Sequence, residues 1–157
     1  MGIDVNNQQK SALIKSTKWL KTLYKQVFEI SGPPGSGKTT LVHLLIQSMK
    51  LDPNDVLFMA YVGKATLALI RQGNNARTMH SSIYDVVNLP KMDDDGKFIL
   101  KNGRIVTTIG FQKKSCLPEN IKLIVIDEGS MINTTYALDI LSFGLPVLVL
   151  GYMSCPI

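Results

Sequence analysis

The sequence predicts an α/β domain: a parallel β-sheet flanked by helices and interrupted by a small β-hairpin insertion. Three observations carry that prediction. Apolar runs at 26–31, 56–62, 121–126 and 146–150 alternate with segments of helical apolar spacing, the order in which strands and crossover helices build a parallel sheet. Gly32-Pro33-Pro34-Gly35-Ser36-Gly37-Lys38-Thr39 follows the first run and precedes a helical one. It completes G-x-x-x-x-G-K-[ST] in the strand–loop–helix setting that the motif needs. Asn102-Gly103 lies between two β-prone runs in a stretch of altered character, 89–118, and Asn-Gly in that position is the strongest short hairpin signal. We therefore expect one α/β domain formed by 1–88 and 119–157, with 89–118 inserted as a small β subdomain.

The elements follow in order. Residues 6–24 read as an amphipathic helix, with Ala12, Leu13, Leu20, Leu23 and Tyr24 at three- and four-residue intervals and Asn6 or Asn7 as cap. Trp19, Tyr24 and Phe28 are expected in the core. A strand at 26–31 leads into the glycine loop, and a helix at 38–49 follows, with His43 packed along it. Asp52-Pro53-Asn54 is a turn. The unbroken apolar run 56–62 suits a strand buried on both faces. A helix at 64–72 ends at Gly73-Asn74-Asn75, and a shorter one is expected at 79–87. In the insertion, Asp93-Asp94-Asp95-Gly96 forms a polar turn, and 98–100 and 105–108 flank Asn102-Gly103. A strand at 121–126, a helix at 134–142 and a strand at 146–150 close the chain.

Bulk properties set outer bounds. The 157 residues are 45% hydrophobic, enough for one domain with a buried core. No apolar run reaches the ~18 residues of a membrane span, and Asp4, Asn6 and Asn7 stand where a signal peptide would be apolar. Cys116 and Cys155 lack metal spacing, which points to reduced, inert thiols and a cytoplasmic setting. A net charge of +5 favours an anionic partner, nucleic acid first. Lys10, Lys15, Lys18, Lys21 and Lys25 fall near helical spacing, for which a solvated helix face is the simpler reading.

The glycine loop carries the chemistry. Gly32, Pro33, Pro34, Gly35, Ser36, Gly37, Lys38, Thr39 and Thr40 would cradle the phosphates of ATP with backbone N–H groups at a helix N-terminus. Lys38 would reach the β- and γ-phosphates and the Thr39 hydroxyl would ligate Mg²⁺. The strand at 121–126 ends in Asp127-Glu128. An acid there can hold Mg²⁺ opposite Thr39, and its neighbour can polarise the attacking water. We assign Asp127 to the metal, and Glu128 with Lys38 to catalysis. Both the loop and the acidic pair fall at strand carboxyl ends, where such sheets bind ligands. A hydrolysing P-loop NTPase is favoured over a nucleotide kinase. A kinase needs no water activator, and Arg71, Arg77 and Arg104 are too few and scattered for its lid.

At this point the residues resemble a known family, the first motor domain of RecD-like superfamily-one DNA helicases that move 5′→3′, including the phage Dda type. Val5-x-x-x-Gln9-x-x-Ala12 resembles the Q motif. Gly32 to Thr39 is motif I. Ala60-Tyr61-Val62-Gly63-Lys64-Ala65 is similar to motif Ia. Ala76-Arg77-Thr78-Met79-His80 is similar to the A-x-T-[IM]-H segment, and Ile126-Asp127-Glu128-Gly129-Ser130-Met131 to motif II. The resemblance covers nearly the whole chain and implies a RecA-like fold and an ATP-driven motor on single-stranded DNA. It implies that Gln9 reads the adenine base, that Lys64, Thr78 and His80 lie on the DNA side, and that 89–118 is a strand-separation wedge.

The departures are Val62 for the usual Thr, Gly129 for Ala, and the tail 151–157, where the family's Asp and γ-phosphate-sensing Gln are not recognisable. Such helicases use two motor domains with ATP between them. The resemblance accordingly implies a partner in a second motor domain or in replication or recombination proteins, and a bacterial or phage-infected cell. An arginine finger from a second domain is worth roughly 10³–10⁵ in rate in related chemistry, so weak or undetectable turnover is expected of these 157 residues alone. A non-catalytic module that binds nucleotide or DNA for a partner is the competing expectation. Tyr84 and Phe98 are candidates to stack on bases, although a purely structural role is the stronger reading for both.

Overall fold

The computed structural model describes residues 5–152; Cys155 and most of the divergent tail, 153–157, lie outside the described residues. Its elements are α1 (Asn7–Thr22), β1 (Val27–Ile30), α2 (Lys38–Ser48), β2 (Val56–Ala60), α3 (Gly63–Arg71), β3 (Ala76–Thr78), α4 (Met79–Ile83), β4 (Tyr84–Pro90), β5 (Leu100–Lys101), β6 (Arg104–Ile105), β7 (Thr107–Lys113), β8 (Leu123–Asp127), α5 (Thr134–Leu141) and β9 (Val147–Leu150). Five strands form one all-parallel sheet in the order β1-β9-β8-β2-β3. The expected α/β fold is therefore present.

The two-faced burial of the sheet follows from side-chain alternation. Val56, Phe58 and Ala60 of β2 join Trp19, Leu41, Val42, Leu45, Ile46 and Leu69 in one core layer, under α1, α2 and α3. Leu57 and Met59 point the other way, into a layer with Met79, Ile83, Ile124, Ile126, Ala137 and Ile140 under α4 and α5. All five residues of β2 are buried. Each large aliphatic side chain buried this way contributes roughly 1.5–3 kcal/mol.

Caps and side-chain clamps fix the element ends. Asn6 caps α1, and Leu23 ends it in the left-handed region at φ 46°. Trp19 is fully buried, stacks on Phe28 with ring centroids 5.3 Å apart, and donates Nε1–H to the Lys25 carbonyl at 2.7 Å. Tyr24, expected in the core, is instead 64% exposed because it lies beyond that helix end. At the amino ends of the strands, the Asn54 carbonyl accepts from Asn75 at 3.2 Å and from Asn120 at 3.0 Å, and Lys122 pairs with Asp55 at 2.6 Å. This turn ties β2 to the starts of β3 and β8.

Three expectations need correction. The strand expected to reach residue 62 stops at Ala60, leaving Tyr61 and Val62 exposed. The helix expected over 79–87 ends at Ile83, and Tyr84-Asp85-Val86-Val87 instead opens β4. The Asn102-Gly103 hairpin is present, with both residues at positive φ, but joins only the two-residue strands β5 and β6. Thr107 and Thr108, expected in that hairpin, belong to β7 and pair with Leu89 and Pro90 of β4. The β4–β7 ladder, from Tyr84↔Lys113 to Pro90↔Thr107, is thus the stem of an arm that carries the smaller hairpin beyond it.

Candidate nucleotide site

Strand register aligns the candidate residues at one edge of the sheet. Thr78 pairs with Ala60, Ala60 with Asp127, and Ile30 with Leu150. Ile126 pairs with Val149, so Asp127 stands level with Leu150 and Ile30. The carboxyl ends of all five strands form one row, and the glycine loop, the acidic pair and the Gly63-Lys64 helix start all follow directly from it. The Gly151 N–H donates to the Ile30 carbonyl at 2.9 Å, tying the end of β9 to the root of the loop.

The loop has the backbone that its sequence requires. Gly35 and Gly37 sit at φ +76° and +81°, which L side chains rarely adopt. A Cβ on Gly32 would lie 2.8 Å from Ser36 Oγ. The Leu41 N–H donates to the Gly37 carbonyl at 3.0 Å and opens α2. Lys38 Nζ donates across the loop to the carbonyls of Gly32 at 2.9 Å and Pro33 at 3.0 Å. Thr39 is half-buried and Thr40 exposed in the first turn of α2. Pro34 is exposed. Gln9 reaches this loop from α1: Nε2 donates to the Ser36 carbonyl at 3.0 Å, and Oε1 accepts the Asn6 N–H at 3.0 Å. A cleft of about 120 Å³ lies between Gln9, Gly32, Pro33 and Lys38.

Asp127 is half-buried, and burial raises its pKa above the ordinary carboxylate value, with the neighbouring Glu128 adding to the rise and Lys38 opposing it. A carboxylate penalised in this way gains from a nearby cation. Glu128 is exposed and sits at φ 58°, ψ 66°, a conformation that costs a non-glycine residue about 1–3 kcal/mol and concentrates at functional sites. Among the described residues no group of three or more His, Cys, Asp or Glu side chains could hold a metal alone. Mg²⁺ does not require one, because it keeps several waters and takes one or two protein oxygens plus phosphate. Thr39 and Asp127 fit that demand, and the ion would supply charge neutralisation at the phosphates.

The three candidates for DNA contact are placed differently. Lys64 is exposed in the first turn of α3. Thr78 caps α4, its Oγ1 accepting the Ser81 N–H at 3.2 Å and donating to Ser81 Oγ at 2.7 Å. His80 is half-buried at the root of the arm, with Nδ1 2.9 Å from the Tyr136 hydroxyl and its ring against Tyr84 and Phe111. Tyr84 donates its hydroxyl to Asp139. Phe98, the other stacking candidate, is 51% exposed. Sequence reasoning missed Tyr136 and Asp139, which carry no local signal. It also missed the Asn6–Gln9 pairing, although Asn-x-x-Gln has the spacing of a capping box.

A parallel sheet with this loop and an acidic pair at its carboxyl edge defines the nucleotide-binding P-loop NTPase class. A family model described as AAA domain matches residues 16–146, and the chain belongs to that family. It is also similar, at 28% identity over 137 residues, to an uncharacterized protein of Methanocaldococcus jannaschii. That match covers 84% of this chain but spans only 11% of the relative's length. Among the described residues no helix is long and apolar enough to cross a membrane.

Proposed function

We propose that this chain is the ATP-binding motor domain of a DNA helicase, holding Mg-ATP at Lys38, Thr39, Asp127 and Glu128 and single-stranded DNA along Lys64 and the segment 76–80. The observation that carries this reading is the alignment of the carboxyl strand ends: the glycine loop, Asp127, the Lys64 helix start and Thr78 share one edge. ATP-site changes and a strand lying along that edge would then be mechanically connected. The net charge of +5 supports a polyanionic partner. The family is found in helicases of the UvrD, Rep and RecD types, which supports the helicase reading over other P-loop chemistry.

In this reading Lys38, which donates to the Gly32 and Pro33 carbonyls, would neutralise the β- and γ-phosphates of bound ATP. Glu128 orients the attacking water and takes its proton, and Asp127 holds the cation. A second motor domain supplies the remaining transition-state charge, so turnover by this chain alone is weak. The test is ATP hydrolysis with and without single-stranded DNA, with Lys38→Ala as contamination control. DNA-stimulated turnover that the substitution abolishes supports the motor reading. Nucleotide binding with no turnover in either condition favours the non-catalytic module, and phosphate transfer to a small acceptor would overturn both.

A further inference from the structure

We propose that the outer face of α1 is a docking surface for the phosphate backbone of duplex nucleic acid, separate from the single-strand path proposed above. Lys10, Lys15, Lys18, Lys21 and Lys25 are all exposed, and residues 5–25 contain no Asp or Glu. These five stand among 17 Lys and Arg against 12 Asp and Glu in the chain, so everything outside this segment is formally neutral. The whole net charge of +5 is carried by α1 and the turn that follows it. At 3.6 residues per turn, the four lysines of α1 fall within an arc of about 140°, turned away from the side that buries Ser16 and Trp19. Lys10 and Lys21 stand about 16 Å apart along the helix axis.

Such a face costs the fold stability. On a merely solvated helix, lysines gain from acids three or four residues away. Here Lys15 and Lys18, and Lys18 and Lys21, are like-charge neighbours at three residues, a spacing at which they repel. Among the described residues none of the four makes an ion pair; the ion pairs there are Lys114–Asp85 and Lys122–Asp55. The repulsion is left in place, and a polyanion that docks on the row relieves it while releasing its own counterions. The kind of polyanion follows from what else the arc carries. Ile14 is its one apolar residue, whereas a helix that lies in a lipid surface presents an apolar face. It has no aromatic side chain, which single-strand surfaces use to stack bases. A duplex asks only for phosphate contacts and presents one charge per ~1.7 Å of its axis. The surface also lies apart from the single-strand path. Trp19 of α1 stacks on Phe28 of β1, whereas segment 76–80 begins in β3. β1 and β3 are opposite edges of the sheet, roughly 19 Å apart at the usual strand spacing.

The test is fluorescence anisotropy of a labelled DNA duplex of about 20 base pairs, titrated with the 157-residue chain from about 50 to 200 mM KCl. Lys15→Gln, Lys18→Gln and Lys21→Gln together are expected to weaken binding roughly 10- to 100-fold at the low-salt end. They should also flatten the slope of log K against log[salt] by about 2.7, at about 0.9 per lost phosphate contact. The same variant is expected to melt at or above the wild-type temperature, because glutamine keeps helix propensity and removes the repulsion. Lys91→Gln, Lys97→Gln and Lys101→Gln together remove equal charge from exposed positions on the inserted arm. They are expected to leave the slope within about 0.5 of wild type. A slope that the α1 substitutions do not change overturns the proposal, as does a wild type that binds no duplex. Equal flattening by both sets overturns it in favour of a net-charge effect. Tighter binding of a single strand of the same length, lost in the α1 variant, overturns the duplex assignment. Tighter binding to vesicles of anionic phospholipid, lost in the same variant, overturns it in favour of a lipid surface. MgATP affinity, measured alongside, reports on the nucleotide reading separately, so either can fail alone.

Discussion

At the level of single side chains, Tyr84 joins the arm to the domain. Its hydroxyl donates to Asp139 of α5, and its ring lies against His80 and Tyr136. Burial, and then the bond and charge of Asp139, push its pKa from 10.0 up to about 12. A pKa raised on folding means that the neutral phenol stabilises the fold fully below pH 10, and that this contribution is lost as pH rises toward 12. Tyr84→Phe keeps the ring but strands the Asp139 carboxylate, and we expect a cost of about 1–2 kcal/mol at neutral pH. Urea unfolding across the alkaline range should show the gap to wild type closing as Tyr84 ionises; a gap indifferent to pH would refute the assignment. The contrast with the glycine loop is instructive for sequence reading. Lys38 and Asp127 were legible because their neighbours in sequence are also their neighbours in space. The Tyr84–Asp139 bond spans 55 residues and leaves no trace in any local window.

Secondary-structure elements divide along the same line. Those that bury a full face were readable: α1, α2, β2, β8 and β9 lie within a few residues of their expected bounds. β3 was not, because Ala76-Arg77-Thr78 is too short to show alternation and becomes a strand only by pairing with Phe58, Met59 and Ala60. The first half of β4 reads locally as helix, because nothing in Tyr84-Asp85-Val86-Val87 reveals its partners at 110–113. The arm itself is a separable element. Its stem closes at Pro90↔Thr107, and beyond it Met92, Phe98, Leu100 and Ile105 are all exposed. Replacing 91–106 with Asn-Gly should therefore yield a plain two-residue hairpin on an intact domain. We expect the melting temperature to stay within about 5 °C, given that no buried apolar contact is lost, and nucleotide affinity to be unchanged. A collapse in melting temperature on differential scanning would mean that the arm is part of the folding unit.

For the molecule as a whole, the parallel α/β architecture was predictable, but the strand order was not. Chain order says nothing about β9 inserting between β1 and β8. That insertion makes β9 the hinge pin of the domain, with all four of its residues buried. Leu148 faces the layer shared with Trp19, Phe58 and Val125 and has no exposed surface. Leu148→Ala should cost about 2–5 kcal/mol through lost burial and the cavity left behind, a large share of the 5–15 kcal/mol typical of a domain. Equilibrium urea denaturation with an unchanged m-value would read that loss as stability alone; a cost under about 1 kcal/mol would show that the site collapses around the gap.

The same strand order leaves β1 paired with β9 on one side and, among the described residues, with no strand on the other. A lateral row of main-chain donors and acceptors is a template for any extended polypeptide that meets it. Here the template leads directly into Gly32, so a strand zipped onto it, from this polypeptide or another, would brace the base of the loop. Assembly and ligand occupancy would then be thermodynamically linked, each raising the other's apparent affinity.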